Sequence, residues 1–162
     1  MDGFLAIASK RDERRYADRP VPEDVVRRML DAGRVAGSSG NKQARRFVVV
    51  ESRARVEVLA QAVYEPQNVL TAALVVAIVG RSGFDVGRAA QNMMLAAWND
   101  GVASCPNGIR EPDRAEAAVG ETPATVLSFG YPARPRNPER RSAEEWSERA
   151  NRLPLDEVVT RV

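Results

Sequence analysis

The sequence predicts a small β-sheet covered by helices, in the α/β or α+β class, and three observations carry that prediction. Two short apolar runs, Phe47–Val50 (FVVV) and Ala73–Val79 (ALVVAIV), suit buried strands. Between and around them, apolar residues recur at helical spacing. The chain has 162 residues, with 44% in the hydrophobic class and 28% charged, which fits one domain spanning 1–162 with a real core.

Taken in order, Asp2 is placed to cap a short helix running to about Lys10, with Phe4, Leu5, Ile7 and Ala8 supplying its apolar side. RPVPE breaks the chain, and Pro22 takes the favoured first position of a second helix carrying Val25, Val26, Met29 and Leu30. That helix fades near Ala36–Gly37, and the polar stretch SSGNKQ leads into the first strand. Ser52 is placed to cap a helix in which Val56, Leu59, Ala60 and Val63 share a face. After the second strand, Gly80–Gly83 forms a turn. Phe84–Asn99 is a strong helix with Ala89, Ala90, Met93, Met94, Ala97 and Trp98 facing the core, closed by Gly101. A short helix at Pro112–Val119 precedes a strand at Ala124–Phe129. The stretch Ala133–Ala150, poor in core-forming residues, reads as an extended or irregular arm ending at RLPLDEVV.

Composition excludes several chemistries. There is no histidine and one cysteine, so a Cys/His zinc site, a histidine-based triad and an intrachain disulfide all lack their parts, and no metal site is expected. Cys105 reads as a small buried apolar residue. No apolar run reaches the ~18–20 residues of a membrane span, and the N-terminus does not read as a secretory leader; a cytoplasmic protein without a membrane partner is the expectation. Net charge is +2, from 24 basic and 22 acidic residues. The basic clusters are interleaved with acids and carry no nucleic-acid motif, so no nucleic-acid partner is expected. Ser39-Gly40-Asn41-Lys42 satisfies an S-x-x-K box, but the companion elements of that nucleophile chemistry are missing.

Five stretches resemble, in order, the motifs of the FMN-dependent nitroreductase family: KRDERRY followed by DRPVP, AGSSGNKQARRF, DVGRAAQNMMLAAWNDGVASC, FGYP and RLPLDEVV. Together they cover Ile7 to Val159. The resemblance implies an α+β, three-layer α/β/α fold with a mixed sheet flanked by helices. It implies a homodimer in which the C-terminal arm, 133–162, is exchanged and FMN lies at the subunit interface. Such enzymes take hydride from NADH or NADPH and pass electrons to nitroaromatics, quinones or related small acceptors by a ping-pong cycle.

Carried onto this chain, the resemblance places Lys10, Asp12 and Arg14 against the FMN phosphate and ribityl chain, with Arg11, Arg14 or Arg15 available to offset the carboxylate of Asp12, where the family has serine. Phosphate wants fixed cations and donors. Ser38, Ser39 and Asn41 fall where the family touches the flavin pyrimidine and ribityl from the partner subunit, and those groups want neutral donors and acceptors. Pro106, Asn107 and Gly108 fall on a loop laid against the reactive side of the ring, where a small residue permits close approach. Arg152 matches a second phosphate-binding position, and Arg149 stands in for a basic residue replaced by Ala150. No side chain is expected to be catalytic, because the flavin N5 carries the chemistry. Gly37 replaces a proline, and Ala44-Arg45 replaces Pro-Trp. The short Gly80–Asp85 turn implies a more open substrate pocket than in longer relatives. Two alternatives use the same fold: a flavin-binding or sensing protein without turnover, and a flavin-modifying or dehalogenating relative.

Overall fold

A computed structural model describes residues 1–162, which divide into two compact units: Arg11–Arg136, and Met1–Lys10 together with Asn137–Val162. The larger unit holds the sheet. Its strands are β1 (Arg45–Val49), β2 (Leu74–Gly80), β3 (Ala103–Asn107) and β4 (Thr125–Gly130), in the order β1-β2-β4-β3. Every pairing is antiparallel, with Phe47 opposite Ile78, Val76 opposite Leu127 and Cys105 opposite Ser128. The mixed sheet expected from the resemblance is therefore corrected within this chain. Its one parallel pairing is an isolated bridge between Asp12 and Ser104.

The α+β, three-layer arrangement follows from how the strands alternate. In β2, Val75 and Ala77 face one core with Val56, Leu59, Val69, Ala115 and Val126. Val76 and Ile78 face the other, with Met29, Met93, Ala97, Leu127 and Phe129. A strand buried on both faces must be apolar throughout, which is why LVVAIVG shows no polar alternation. The first core is roofed by α3 (Arg53–Ala62), α4 (Pro66–Leu70) and α6 (Pro112–Val119); the second by α2 (Glu23–Arg34) and α5 (Gly83–Asn99). Gly33 lets α2 and α5 close together. A Cβ there would sit 2.7 Å from Met93 Cγ and 2.9 Å from Phe47 Cζ. The methionines of α5 thus serve packing.

Several boundaries differ from the sequence reading. Pro22 stands just before α2, as its N-cap, and Ser52 caps α3 by position without a side-chain bond. Cys105-Pro106-Asn107 belongs to β3 and is not a free loop. Pro106 is tolerated because β3 is an edge strand, where a missing N–H breaks no central ladder.

In the second unit, α1 (Gly3–Ser9) is capped by Asp2, whose Oδ1 accepts from the N–H groups of Phe4 and Leu5 at 2.9 and 3.1 Å. Those backbone bonds hold the Asp2 carboxyl below its ordinary range. Instead of a wholly extended arm, the C-terminal segment contains α7 (Ala143–Arg149), started by a capping box: Ser142 Oγ accepts from Glu145 N–H, and Glu145 accepts from Ser142 N–H. Trp146 Nε1 donates to Pro138 O at 2.7 Å, folding the segment on itself. A last short helix, α8 (Leu155–Val158), leaves its apolar residues exposed. No helix is long and apolar enough to cross a membrane.

Candidate functional site

The segment carrying Arg11, Asp12 and Arg14 is held to the edge of the sheet. Glu13 N–H donates to Ser104 O at 3.0 Å, and Ala17 N–H donates to Tyr131 O at 2.8 Å. Along it, Asp12 and Arg14 are exposed while Arg11 and Glu13 are half-buried, the alternation of an extended strand. Glu13 is taken by Arg136, whose Nη2 lies 3.0 Å from it. Arg14 makes no ion pair, so its guanidinium stays available to an anion. Beneath this segment, Ser104 is fully buried and its Oγ has no hydrogen-bond partner.

The same edge rests on a buried polar chain. Tyr16 packs its ring on Gly130, where a Cβ would come within 2.8 Å of the ring, and its hydroxyl meets Ser128 O and Oγ at 3.2 and 3.1 Å. Burial pushes the Tyr16 phenol well above its ordinary value, so it stays neutral. Ser128 Oγ donates to Cys105 O. Asn107 Nδ2 donates to Cys105 O, Val126 O and Ser128 Oγ at 3.0 to 3.2 Å, and its Oδ1 accepts from Asn68 at 3.1 Å. Every polar atom of the Asn107 side chain is therefore engaged inside the protein. Pro106 and Gly108 are the exposed residues here; the Gly108 carbonyl accepts from Tyr64 N–H, and the Tyr64 ring fills the space a Cβ on Gly108 would take.

Ser38, Ser39 and Asn41 lie on the loop between α2 and β1, and five hydrogen bonds fix its shape. Ser38 Oγ accepts from Gln43 N–H at 2.8 Å, and Asn41 N–H donates to Ser38 O at 3.0 Å. Gly40, Asn41 and Gln43 take left-handed conformations, with φ of 56°, 53° and 52°, which turn the chain tightly. Ser39 N–H reaches Asp85 Oδ2 on α5 at 3.4 Å. Arg45 donates from Nη2 to Ala36 O and, at 3.2 Å, to Arg34 O, so a cation closes the carbonyl end of α2. Arg45 thus explains its own departure from the family motif: it clamps the loop instead of supplying an aromatic wall. Gly37 has an equally local cause. A Cβ on it would stand 2.5 Å from Arg88 Nη2, so a side chain here would displace that guanidinium. The Ser39 hydroxyl and the Asn41 amide remain at the surface.

Between this loop and α5 lies an open groove of about 680 Å³, lined by Gly37, Gly83, Phe84, Gly87, Arg88 and Gln91 among others. The structure thus brings Ser38, Ser39 and Asn41 together, and places Arg11, Asp12 and Arg14 on one strip along β3. Lys10, Arg149 and Arg152 belong to the other unit; Arg149 and Arg152 are exposed. Sequence reasoning did not single out Tyr16, Asn68, Ser128 or Arg88. Asn68 had one usable signal, a polar residue directly before the apolar pair Val69-Leu70.

Residues 7–83 match the model of the nitroreductase family. A Methanothermobacter thermautotrophicus protein named provisionally as an NADH dehydrogenase/NAD(P)H nitroreductase is 29% identical, over 90% of this chain and 88% of its own. Among solved structures, a nitroreductase family protein from Clostridium difficile superposes with a TM-score of 0.81 at 26% identity, covering 99% of this chain and 98% of that one. A provisionally named nitroreductase from Desulfovibrio desulfuricans, solved in complex with FMN, reaches 0.81 at 24% identity, covering 100% and 98%. The family match over residues 7–83 and the fold shared over its length make the chain similar to the nitroreductase family in both sequence and fold.

Proposed function

We propose that this protein is an FMN-dependent oxidoreductase that takes hydride from NADH or NADPH and reduces a small organic acceptor, a nitroaromatic, a quinone or a relative of these. Donor and acceptor visit in turn, in a ping-pong cycle, and the active species is a homodimer. The observation that carries this reading is the loop Ser38–Gln43: its backbone is pinned at both ends, yet the Ser39 hydroxyl and Asn41 amide stay exposed.

The residues present fit a flavin mononucleotide. The polar edge of the ring needs neutral donors and acceptors held in fixed positions, which that loop supplies. A phosphate needs an uncommitted guanidinium, which Arg14 supplies. Arg11 offsets the carboxylate of Asp12, and Lys10, Arg149 and Arg152 are proposed to add to the positive charge. Gly108, exposed just beyond β3 with its carbonyl held by Tyr64 N–H, offers backbone to the ring, and Pro106 stiffens the same stretch. Asn107 acts through its buried bonds, positioning Gly108. When bound, FMN supplies the electron-carrying chemistry. The chain's own work is to bind, orient and shield.

Anaerobic addition of NADH or NADPH to FMN-loaded protein tests the cycle. The visible flavin colour should bleach, and return on adding a nitroaromatic or a quinone. Colour that persists in excess of both donors points instead to a binding protein without turnover.

A further inference from the structure

The geometry points to an anion-selecting acceptor site: the groove between the Val35–Gly37 turn and α5 takes aromatic electron acceptors bearing a carboxylate or sulfonate, with Arg88 as the residue that selects them. The inference rests on the flavin-reductase reading above and goes further, to the class of acceptor.

Arg88 is the one charged residue lining the groove. Its guanidinium lies over Gly37, in space a side chain at that position would fill, and its Cζ is 5.6 Å from the centroid of the Phe84 ring. It forms no ion pair. Asp85, one turn earlier on α5, is directed instead at Ser39 N–H, 3.4 Å away. A cation without a carboxylate partner, held beside an aromatic ring, matches a ligand with an anionic substituent on a flat ring. The floor suits a flat ligand as well. At Gly83 and Gly87, one turn apart on α5, an added Cβ would meet nothing within 4 Å, so the helix presents bare backbone to open space. Phe84 is 76% exposed and offers a stacking face. The groove's 680 Å³ is the volume range of small-molecule sites. It also adjoins Ser38–Asn41, the loop assigned above to the pyrimidine and ribityl of the flavin.

In the reaction, a nitro group takes up two electrons and two protons, losing one oxygen as water and leaving a nitroso group; NADH or NADPH supplies the electrons. Arg88 takes no proton in this step and acts on binding alone.

The test compares 4-nitrobenzoate with uncharged nitrobenzene, using FMN-loaded wild type and Arg88→Gln. Wild type should show the higher kcat/KM for the acid. Arg88→Gln should lower the ratio of kcat/KM for the acid to that for nitrobenzene about fivefold, the worth of one partly exposed charge-assisted contact. Calorimetric titration of 4-nitrobenzoate into the oxidised protein should show the same loss of affinity, independent of turnover. Gly37→Ala, which displaces Arg88 without removing it, should reproduce the loss in part. Equal discrimination in wild type and Arg88→Gln overturns the assignment. So does an effect confined to the rate of bleaching by NADH or NADPH, which would assign Arg88 to the phosphates of the donor. A shift of Arg88→Gln to a smaller oligomer with discrimination unchanged would make the groove an interface between copies and overturn it as well. Failure of the flavin-reductase reading looks different: no donor bleaches the flavin, while calorimetry still reports on Arg88.

Discussion

Asn68 donates from Nδ2 to Oδ1 of Asn107 at 3.1 Å, and both residues are buried. Two amides thus complete each other beneath the edge strand, and three carbonyl or hydroxyl oxygens take up the Asn107 N–H groups. Asn68→Ala leaves one buried acceptor without its donor and should cost about 1–3 kcal/mol. Asn107→Ala strands several groups and should cost more than Asn68→Ala. Urea denaturation of the two variants checks the order; equal and negligible losses would show that the network is not what holds β3.

Arg45 should matter more to the loop than to global stability. Arg45→Met keeps the stem but releases the carbonyls at the end of α2, costing about 1 kcal/mol. The larger effect is expected in hydrogen exchange, with faster exchange at the N–H groups of Asn41 and Gln43, and in weaker FMN binding. Arg45→Lys should restore part of both. Unchanged exchange in Arg45→Met contradicts the clamp.

The Tyr16 phenol gives a pH dependence with a definite sign. Burial raises its folded-state value above the ordinary value near 10. The folded protein therefore holds this proton more tightly than the unfolded chain. The stabilisation is complete below pH ~10 and is lost as pH rises from there toward the folded value. Denaturant midpoints should fall more steeply above pH ~10 for wild type than for Tyr16→Phe. Parallel curves would contradict this account of the phenol.

The C-terminal residues Leu155 and Val158 are 75% and 60% exposed, although α8 places them on a helix. Such a segment is stable when its apolar residues find a partner, and the proposed dimer supplies one. Leu155→Asp with Val158→Asp should shift the protein from dimer to monomer in light scattering. A dimer of undiminished stability would remove the arm from the interface.

Much of the fold was legible because burial writes periodicity into sequence. Pro112–Val119 is helical as read, and Leu74–Gly80 lies within a residue of its predicted strand. What escaped has physical reasons. The resemblance placed Pro106–Gly108 on a loop, and a proline within the stretch gave no signal for β3; only its place at the sheet edge makes Pro106 acceptable. The helix Ala143–Arg149 has few core residues, and its signal was the Ser142–Glu145 capping box. At the site, the polar loop could be read from composition. The reasons for Gly37 and Arg45 could not, because Arg88 and the carbonyls of α2 approach them only in the folded chain.

Titration of FMN with flavin-stripped protein, wild type and Arg14→Ala side by side, tests the central claim most directly. Wild type should quench FMN fluorescence saturably, and Arg14→Ala should bind about tenfold more weakly, the scale of one lost charged hydrogen bond to phosphate. Absence of quenching by wild type contradicts the flavin reading itself, and equal affinity for the two proteins contradicts the assignment of Arg14 to the phosphate.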